Sequence, residues 1–302
     1  MRVLVTGASG FIGRWAVAGL VQRNIEVVAL SRSPAAAPGA HAIAVDLLDT
    51  GATRRVLTDV RPDTILHAAW SVEPGRFWGA GENLDWLAAT VQLARAAADA
   101  GVTRIIGVGT CFEYAWPDNG ICDEKTTPVG PTTLYAVAKD SARRALAGWG
   151  AETKLSFAWA RLFFLYGPFE HPSRLVPSIA INLARGLRAP LSSGGIVRDF
   201  MDVRDAGNAL AALTVSRVEN EVNIGSGHSA TLEQVANCLG RAAARPDLIA
   251  CGALPDRPHE PPRIVAATGR LRTEVGAPAP RPLEQGLSDT YAWWQSRAED
   301  MA

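Results

Sequence analysis

Three glycines at intervals of three constrain this chain more than any other feature. Thr6-Gly7-Ala8-Ser9-Gly10-Phe11-Ile12-Gly13 joins an apolar run at residues 3–6 to a stretch, residues 11–23, with apolar positions at helical spacing. Glycine permits a tight turn, lets backbone approach a pyrophosphate, and lets the following helix pack close to the strand. The helix N-terminus then faces the phosphates. The turn therefore predicts a dinucleotide site with Gly7, Gly10, Phe11, Ile12 and Gly13 as its contacts. The alternative is a strand–helix junction that needs glycine for its geometry alone. The spacing is G-x-x-G-x-x-G, not the plain G-x-G-x-x-G.

The first half of the chain continues the alternation. Strands are predicted at 26–30, 42–45, 64–67, 104–108 and 155–160, and helices at 83–100 and 134–147. Apolar strands separated by helices of this length argue for a parallel, doubly wound sheet. After Tyr166-Gly167-Pro168, Gly and Pro become frequent and the strands shorten. Helices are predicted at 175–185, 206–215, 232–243 and 283–297, a short returning strand at 222–224, and a Pro-rich loop at 255–262. The fold class expected is α/β: a Rossmann-type dinucleotide-binding domain over 1–167, with a strand near 221–224 returning to it, and a smaller substrate-binding α/β domain over 168–302.

A chain of 302 residues is long enough for two domains with a buried core. Its 30 basic and 30 acidic side chains cancel, which gives no case for nucleic acid or a membrane surface as partner. No apolar run approaches a membrane span, and the N-terminus shows no basic–apolar–small pattern of a leader. Cys111, Cys122, Cys238 and Cys251 form no C-x-x-C pair and sit at no metal-ligand spacing. Reduced thiols, a cytoplasmic location and no metal fit that pattern. The nine Trp are scattered and read as packing residues.

The second strand ends in Leu30-Ser31-Arg32-Ser33, without the acid that would hold a ribose 2′-hydroxyl. Arg32 can pair with a 2′-phosphate. Ser31 and Arg32 thus favour NADP(H), with NAD(H) left open. Asp46, beside Leu47 after the third strand, is placed to accept from an adenine amine; otherwise it is an ordinary turn or cap aspartate.

Tyr135 and Lys139 are four apart in a predicted helix and share a face. An ammonium beside a phenol favours the phenolate and lowers its pKa, so the pair can exchange a proton with a carbonyl or an alcohol. Thr110 ends the fifth strand, where ligands of a parallel sheet sit, and its hydroxyl can hold a reacting oxygen. His67 reads as a structural histidine. Nothing beside Cys111 in sequence argues for a reactive thiol.

The glycine turn, Asp46, His67-Ala68-Ala69, Thr110 and Tyr135…Lys139, in this order and separation, resemble the extended short-chain dehydrogenase/reductase family, the group of nucleotide-sugar epimerases, dehydratases and reductases. The likeness covers nearly the whole chain. Arg161-Leu162-Phe163-Phe164-Leu165-Tyr166-Gly167-Pro168 looks like the segment closing the cofactor domain, and the run from Gly194 to Val203 like the nucleotide-sugar segment. The resemblance implies that Thr110 binds the substrate oxygen with Cys111 beside it, that Tyr135 is the acid/base, and that Lys139 also holds the nicotinamide ribose. It places Ala68 and Ala69 against the cofactor and Arg198 on the diphosphate of a nucleotide-sugar substrate, with Arg257 a second contact and Arg174 a third. It further implies a homodimer through the helices near 83–100 and 134–147.

Two departures from the family pattern narrow the expected chemistry. Dehydratases carry Asp-Glu after the Thr, where this chain has Cys111-Phe112, and many members carry Asn where Phe164 stands. Gly109-Thr110-Cys111-Phe112-Glu113-Tyr114 looks most like reductases of nucleotide-linked 4-keto-6-deoxysugars. The expectation is such a 4-ketoreductase, with an NAD-dependent nucleotide-sugar 4-epimerase as the alternative. A reductase of a non-sugar carbonyl and a non-enzymatic dinucleotide-binding scaffold are the other readings, the last disfavoured because Tyr135 and Lys139 are both present.

Overall fold

The computed structural model describes residues 1–33, 38–256 and 260–297. Its elements in chain order are β1 (Arg2–Thr6), α1 (Gly13–Val21), β2 (Glu26–Ser31), β3 (His41–Ala44), α2 (Thr50–Val60), β4 (Thr64–His67), α3 (Glu82–Asp99), β5 (Arg104–Thr110), β6 (Ile121–Cys122), α4 (Leu134–Thr153), β7 (Ser156–Leu162) and β8 (Phe164–Tyr166). They continue with α5 (Leu175–Ala184), β9 (Ala189–Pro190), β10 (Val197–Arg198), β11 (Phe200–Asp202), α6 (Val203–Val215), β12 (Asn220–Ile224), β13 (Ala230–Thr231), α7 (Leu232–Ala242), β14 (Ile249–Ala250), β15 (Arg263–Ala266), α8 (Gly269–Thr273) and α9 (Leu283–Gln295).

The main sheet has seven strands in the order β12-β7-β5-β4-β1-β2-β3, every neighbouring pair parallel. The strand order reverses between β1 and β4, which opens the ligand crevice of a doubly wound sheet at the glycine turn. Strand periodicity divides the core. Val3, Val5, Leu66 and Ile106 face one apolar cluster with α1 and α6. Leu4, Ile65 and Ile105 face the other with Leu57 of α2, Leu93 of α3 and Leu146 of α4.

The cofactor-side sheet draws on late sequence. Helix α6 begins at Val203, three residues before the predicted start, because the Asp202 side chain caps it by accepting from Arg204 N at 2.8 Å. It lies against α1 so closely that a Cβ on Gly207 would come within 2.4 Å of Trp15 Cβ. Strand β12 then pairs with β7. A separate cluster packs α5, α7 and α9 around Val176, Leu239 and Trp294, and a small mixed sheet, β13-β10-β15-β6, joins the two halves. Buried Asp199 ties this junction together, accepting from Ser226 N and Oγ, Gly227 N and Ala266 N at 2.6–3.1 Å.

The sequence reading missed α2, whose polar composition hides its apolar stripe. Asp49 caps it by accepting from Ala52 N at 2.9 Å. Helix α4 runs past the predicted end at 147 to Thr153 and stops at Lys154 in left-handed geometry.

Candidate active site

At the glycine turn, Gly7 has φ +67°, and a Cβ there would lie 2.8 Å from Ala69 backbone. A Cβ on Gly13 would come within 2.1 Å of Gly7 O. Gly10 N closes the turn onto Gly7 O at 2.9 Å. Helix α1 starts at Gly13 after Ile12, which gives no side-chain cap, and its positive end points out of the turn while Arg14 N and Trp15 N close back onto Gly10 O and Ile12 O. Phe11 and Ile12 are half-buried at its mouth. Ala69 N donates to Thr6 Oγ1 at 3.3 Å, and Ala68 N to Thr6 O, which brings the ends of β1 and β4 together over the crevice. A turn so tight that a Cβ on Gly7 or Gly13 would strike backbone, set at the N-terminus of α1, fits the close approach of a dinucleotide's pyrophosphate.

Around that cradle, Ser31 Oγ donates to Ser33 O, and Arg32 is exposed. Asp46 is exposed too, but its carboxylate accepts from Leu48 N at 3.1 Å while Leu47 is buried. Arg14 was not singled out from sequence. Its guanidinium donates to Ser9 O at 2.6 Å and Gly10 O at 3.1 Å and lies 3.8 Å over the Phe169 ring centre.

His67 is fully enclosed. Its Nδ1 lies 2.8 Å from Thr6 Oγ1 and its Nε2 2.9 Å from Thr90 Oγ1. Thr90 gives its own proton to Trp86 O, so Nε2 must donate and Nδ1 accept from Thr6. Burial and the charge of Lys139 push the imidazole down to about 3, and it stays neutral.

Thr133 caps α4 by accepting from Ala136 N, and the helix presents Tyr135 and Lys139 inward, both buried. Phe77, Trp78 and Trp70 meet the Tyr135 ring edge-on at 4.8, 5.9 and 6.5 Å. The Thr110 side chain lies close enough to the Tyr135 hydroxyl to favour its ionised form. Lys139 Nζ donates to Val108 O at 2.7 Å and sits 3.9 Å over the Trp70 ring, and burial lowers it to about 7. The Tyr135 phenol is governed first by its burial. Burial drives that phenol upward, with Thr110 and Arg174 pulling against it, while the Lys139 ammonium is turned to a carbonyl and an indole face.

Below the pair lies a group that sequence reading missed. Thr110 accepts from Phe112 N at 3.3 Å and Glu113 from Thr110 N at 2.9 Å, a capping box on one short turn. Glu113, 0% exposed, also accepts from Trp159 Nε1 at 3.0 Å and Arg161 Nε at 2.8 Å. Burial pushes this carboxyl up against those donors, and its negative charge holds Arg161 protonated. Gly107-Val108-Gly109 was the available signal. A Cβ at Gly107 or Gly109 would strike the Trp159 indole at 2.2 or 2.1 Å.

Two of the expected substrate contacts are placed differently. Cys111 is buried with Tyr114, Cys122, Phe163 and Ile264, so its sulfur faces a core and not the crevice. Burial raises its thiol well above the ordinary range. Arg198 is 2% exposed and committed: Nη1 donates to Val197 O and Pro261 O, Nη2 to Glu260, all at 2.8 Å. The pairing of β10 with β15 brings Glu260 and Pro261 alongside and fills the fork that a diphosphate would need. Arg174, at the start of α5, lies 5.4 Å from the Phe77 ring centre and acts electrostatically on Tyr135. Arg257 lies outside the described residues. Among the described residues no cluster of His, Cys, Asp and Glu could hold a metal ion, and no helix is long and apolar enough to cross a membrane.

The model of the NAD dependent epimerase/dehydratase family matches residues 3–225. The chain is 27% identical over 327 residues to a dTDP-glucose 4,6-dehydratase from Streptomyces niveus, covering 98% of this chain and 93% of that one. It is 29% identical over 252 residues to a dTDP-6-deoxy-L-talose 4-dehydrogenase (NAD(P)(+)) from Kitasatospora kifunensis, covering 79% and 78%. Among solved structures it is similar to the UDP-glucose 4-epimerase of Thermus thermophilus in complex with NAD, with TM-score 0.87, 26% identity and 98% and 99% coverage.

Proposed function

The chain belongs to the NAD-dependent epimerase/dehydratase family, and on that premise we propose that it reduces the 4-keto group of a nucleotide-linked 6-deoxysugar, with NADPH favoured over NADH. The observation that carries this reading is the surroundings of Thr110. The residues after it are a core cysteine, Cys111, and an aromatic, Phe112, while the nearby acid, Glu113, is locked by Thr110 N, Trp159 and Arg161. The turn after Thr110 thus offers no free carboxyl to remove water from a sugar, which argues against dehydration although several relatives carry that name. The Kitasatospora relative, named for redox at C4 of a 6-deoxysugar, supports the same direction.

A reduced nicotinamide, when bound, supplies the hydride. Gly7, Gly10 and Gly13 with the α1 N-terminus would hold the pyrophosphate, and Ser31 and Arg32 the adenosine ribose end. Thr110 holds the keto oxygen and Tyr135 donates its proton to it. Burial keeps the Tyr135 phenol protonated until it meets the keto oxygen, and Thr110 steadies the charge left behind. Lys139, with a pKa of about 7, exchanges a proton near neutrality and balances that charge.

The likeness to the Thermus epimerase supports 4-epimerisation as the second reading, since the same three side chains would serve both directions of hydride transfer. Incubation with NADPH and a nucleotide-linked 4-keto-6-deoxyhexose separates the two. Stoichiometric loss of reduced cofactor supports the reductase. Interconversion of a UDP-hexose without added NADPH, by protein that retains bound NAD, would sink it.

We also propose a homodimer. Helices α3 and α4 lie side by side at the surface, and Leu84 and Val137 on them are exposed. A monomeric mass at micromolar concentration would count against it.

A further inference from the structure

Outward from Tyr135 the site is walled by rings. Tyr135 meets Trp78 at 5.9 Å, Trp78 meets Phe112 at 4.7 Å, and Phe112 meets Trp116 at 5.4 Å and Phe164 at 6.0 Å, nearly all edge to face. Trp78, Phe112, Trp116 and Phe164 are all half-buried, so each keeps part of its surface open. Cations lie at both ends: Arg174 against Phe77 and Arg198 5.2 Å from the Phe164 ring centre.

We propose that this aromatic wall selects the sugar by packing against a deoxygenated carbon, so that the enzyme prefers a nucleotide-linked hexose with a methyl group over the same hexose with a hydroxymethyl group. The proposal rests on the reading that the substrate is a nucleotide sugar. The wall starts at Tyr135 and Thr110, so what packs on it is the piece that carries the reacting carbon. None of its four rings offers a hydrogen-bond acceptor, and the indole N–H groups are its only donors. A hydroxyl pressed against it can accept only from an indole N–H, and its own proton goes unmet. That is the costly case for a buried polar group, whereas a methyl group there gains apolar contact.

The test is binding to the intact chain, read by tryptophan fluorescence because Trp78 and Trp116 sit in the wall. The ligands are a nucleoside-diphosphate 6-deoxyhexose, the matching hexose, and the nucleoside diphosphate alone. The deoxy ligand is expected to half-saturate at roughly tenfold lower concentration than the hexose, and Phe112→Gln to bring the two together. Trp116→Gln, at the outer end of the wall, serves the same purpose if Phe112→Gln folds poorly. Equal half-saturation by the two sugars overturns the proposal. So does full quenching by the nucleoside diphosphate alone, because the wall then holds the base. A deoxy preference in binding without NADPH oxidation on the keto sugar retains the wall and removes the ketoreductase reading. Turnover of both sugars without preference does the reverse.

Discussion

The Lys139 ammonium rests 3.9 Å above the centre of the Trp70 ring while it donates to Val108 O. Trp70 is itself fixed, its Nε1 donating to Asn83 Oδ1 at 2.9 Å and its ring stacked on Trp86. A cation with one carbonyl and one indole face is poorly hydrated, which explains its fall from 10.5 to about 7. Between those values the unfolded chain binds a proton that the folded chain does not, so this group makes stability rise with pH across that window. Below about pH 7 its full cost is present. Lys139→Met should flatten the rise in urea midpoint between pH 7 and 9 and cut turnover by about 10²–10⁴-fold.

Tyr135→Phe keeps the ring that packs on Phe77 and Trp78 and removes only the hydroxyl. Turnover should fall by about 10²–10⁴-fold while dinucleotide binding, followed by fluorescence, is retained. Wild-type turnover in the variant would overturn the assignment of Tyr135 as proton donor.

His67 is held at about 3 in the folded chain against 6.5 in the unfolded one. As pH falls from about 6.5 toward 3 the unfolded chain gains a proton that the folded chain refuses, and stability is lost. In His67→Gln that slope should vanish, with a fixed loss of about 1–3 kcal/mol at pH 7 from imperfect bonds to Thr6 and Thr90. Thermal midpoints at pH 7 and pH 5 for both proteins decide it.

Arg32 is exposed at the end of β2 beside Ser31. If it binds a 2′-phosphate, Arg32→Ala should raise KM for NADPH roughly tenfold to hundredfold and leave KM for NADH nearly unchanged. Parallel changes for both cofactors would remove the NADP preference.

Glu113 and Arg161 form an ion pair with side chains 0% and 1% exposed. Glu113→Gln leaves the guanidinium buried without its counter-charge and should cost about 3–5 kcal/mol, read as a lower denaturant midpoint. Thr110 N then loses its charged acceptor, so residual activity should fall as well.

The parts of the site that follow from local spacing were legible in the sequence. The glycine turn lies between strand and helix as expected, and Tyr135, Lys139 and Thr110 converge because β5 and α4 are adjacent layers. What was not legible depends on long-range register. Nothing near Arg198 in sequence shows that Glu260 and Pro261 will occupy its fork, since that follows from β10 pairing with β15. Trp70 and Trp78 looked like scattered packing residues, and Phe77 was not singled out, because their common target, Tyr135, lies more than fifty positions away. Glu113 was hidden for a different reason: a charged residue ordinarily reads as surface, and its burial is made tenable largely by Trp159 and Arg161 from β7, which sequence proximity does not reveal. Helix α2 escaped because its apolar positions are few and its cap, Asp49, resembles any loop aspartate.

The crossing of α6 and β12 into the first half sets the order in which this molecule can be completed. Trp15 on α1 has its neighbour in Gly207, and β7 gains its outer partner only at residues 220–224. A ribosome that has released residues 1–167 has therefore delivered a sheet whose β7 edge is still open and a helix still uncovered, although every glycine of the turn is already present. The nascent chain must keep these surfaces from other strands until some sixty further residues emerge. The nucleotide half is consequently complete only once residues 203–224 have joined it.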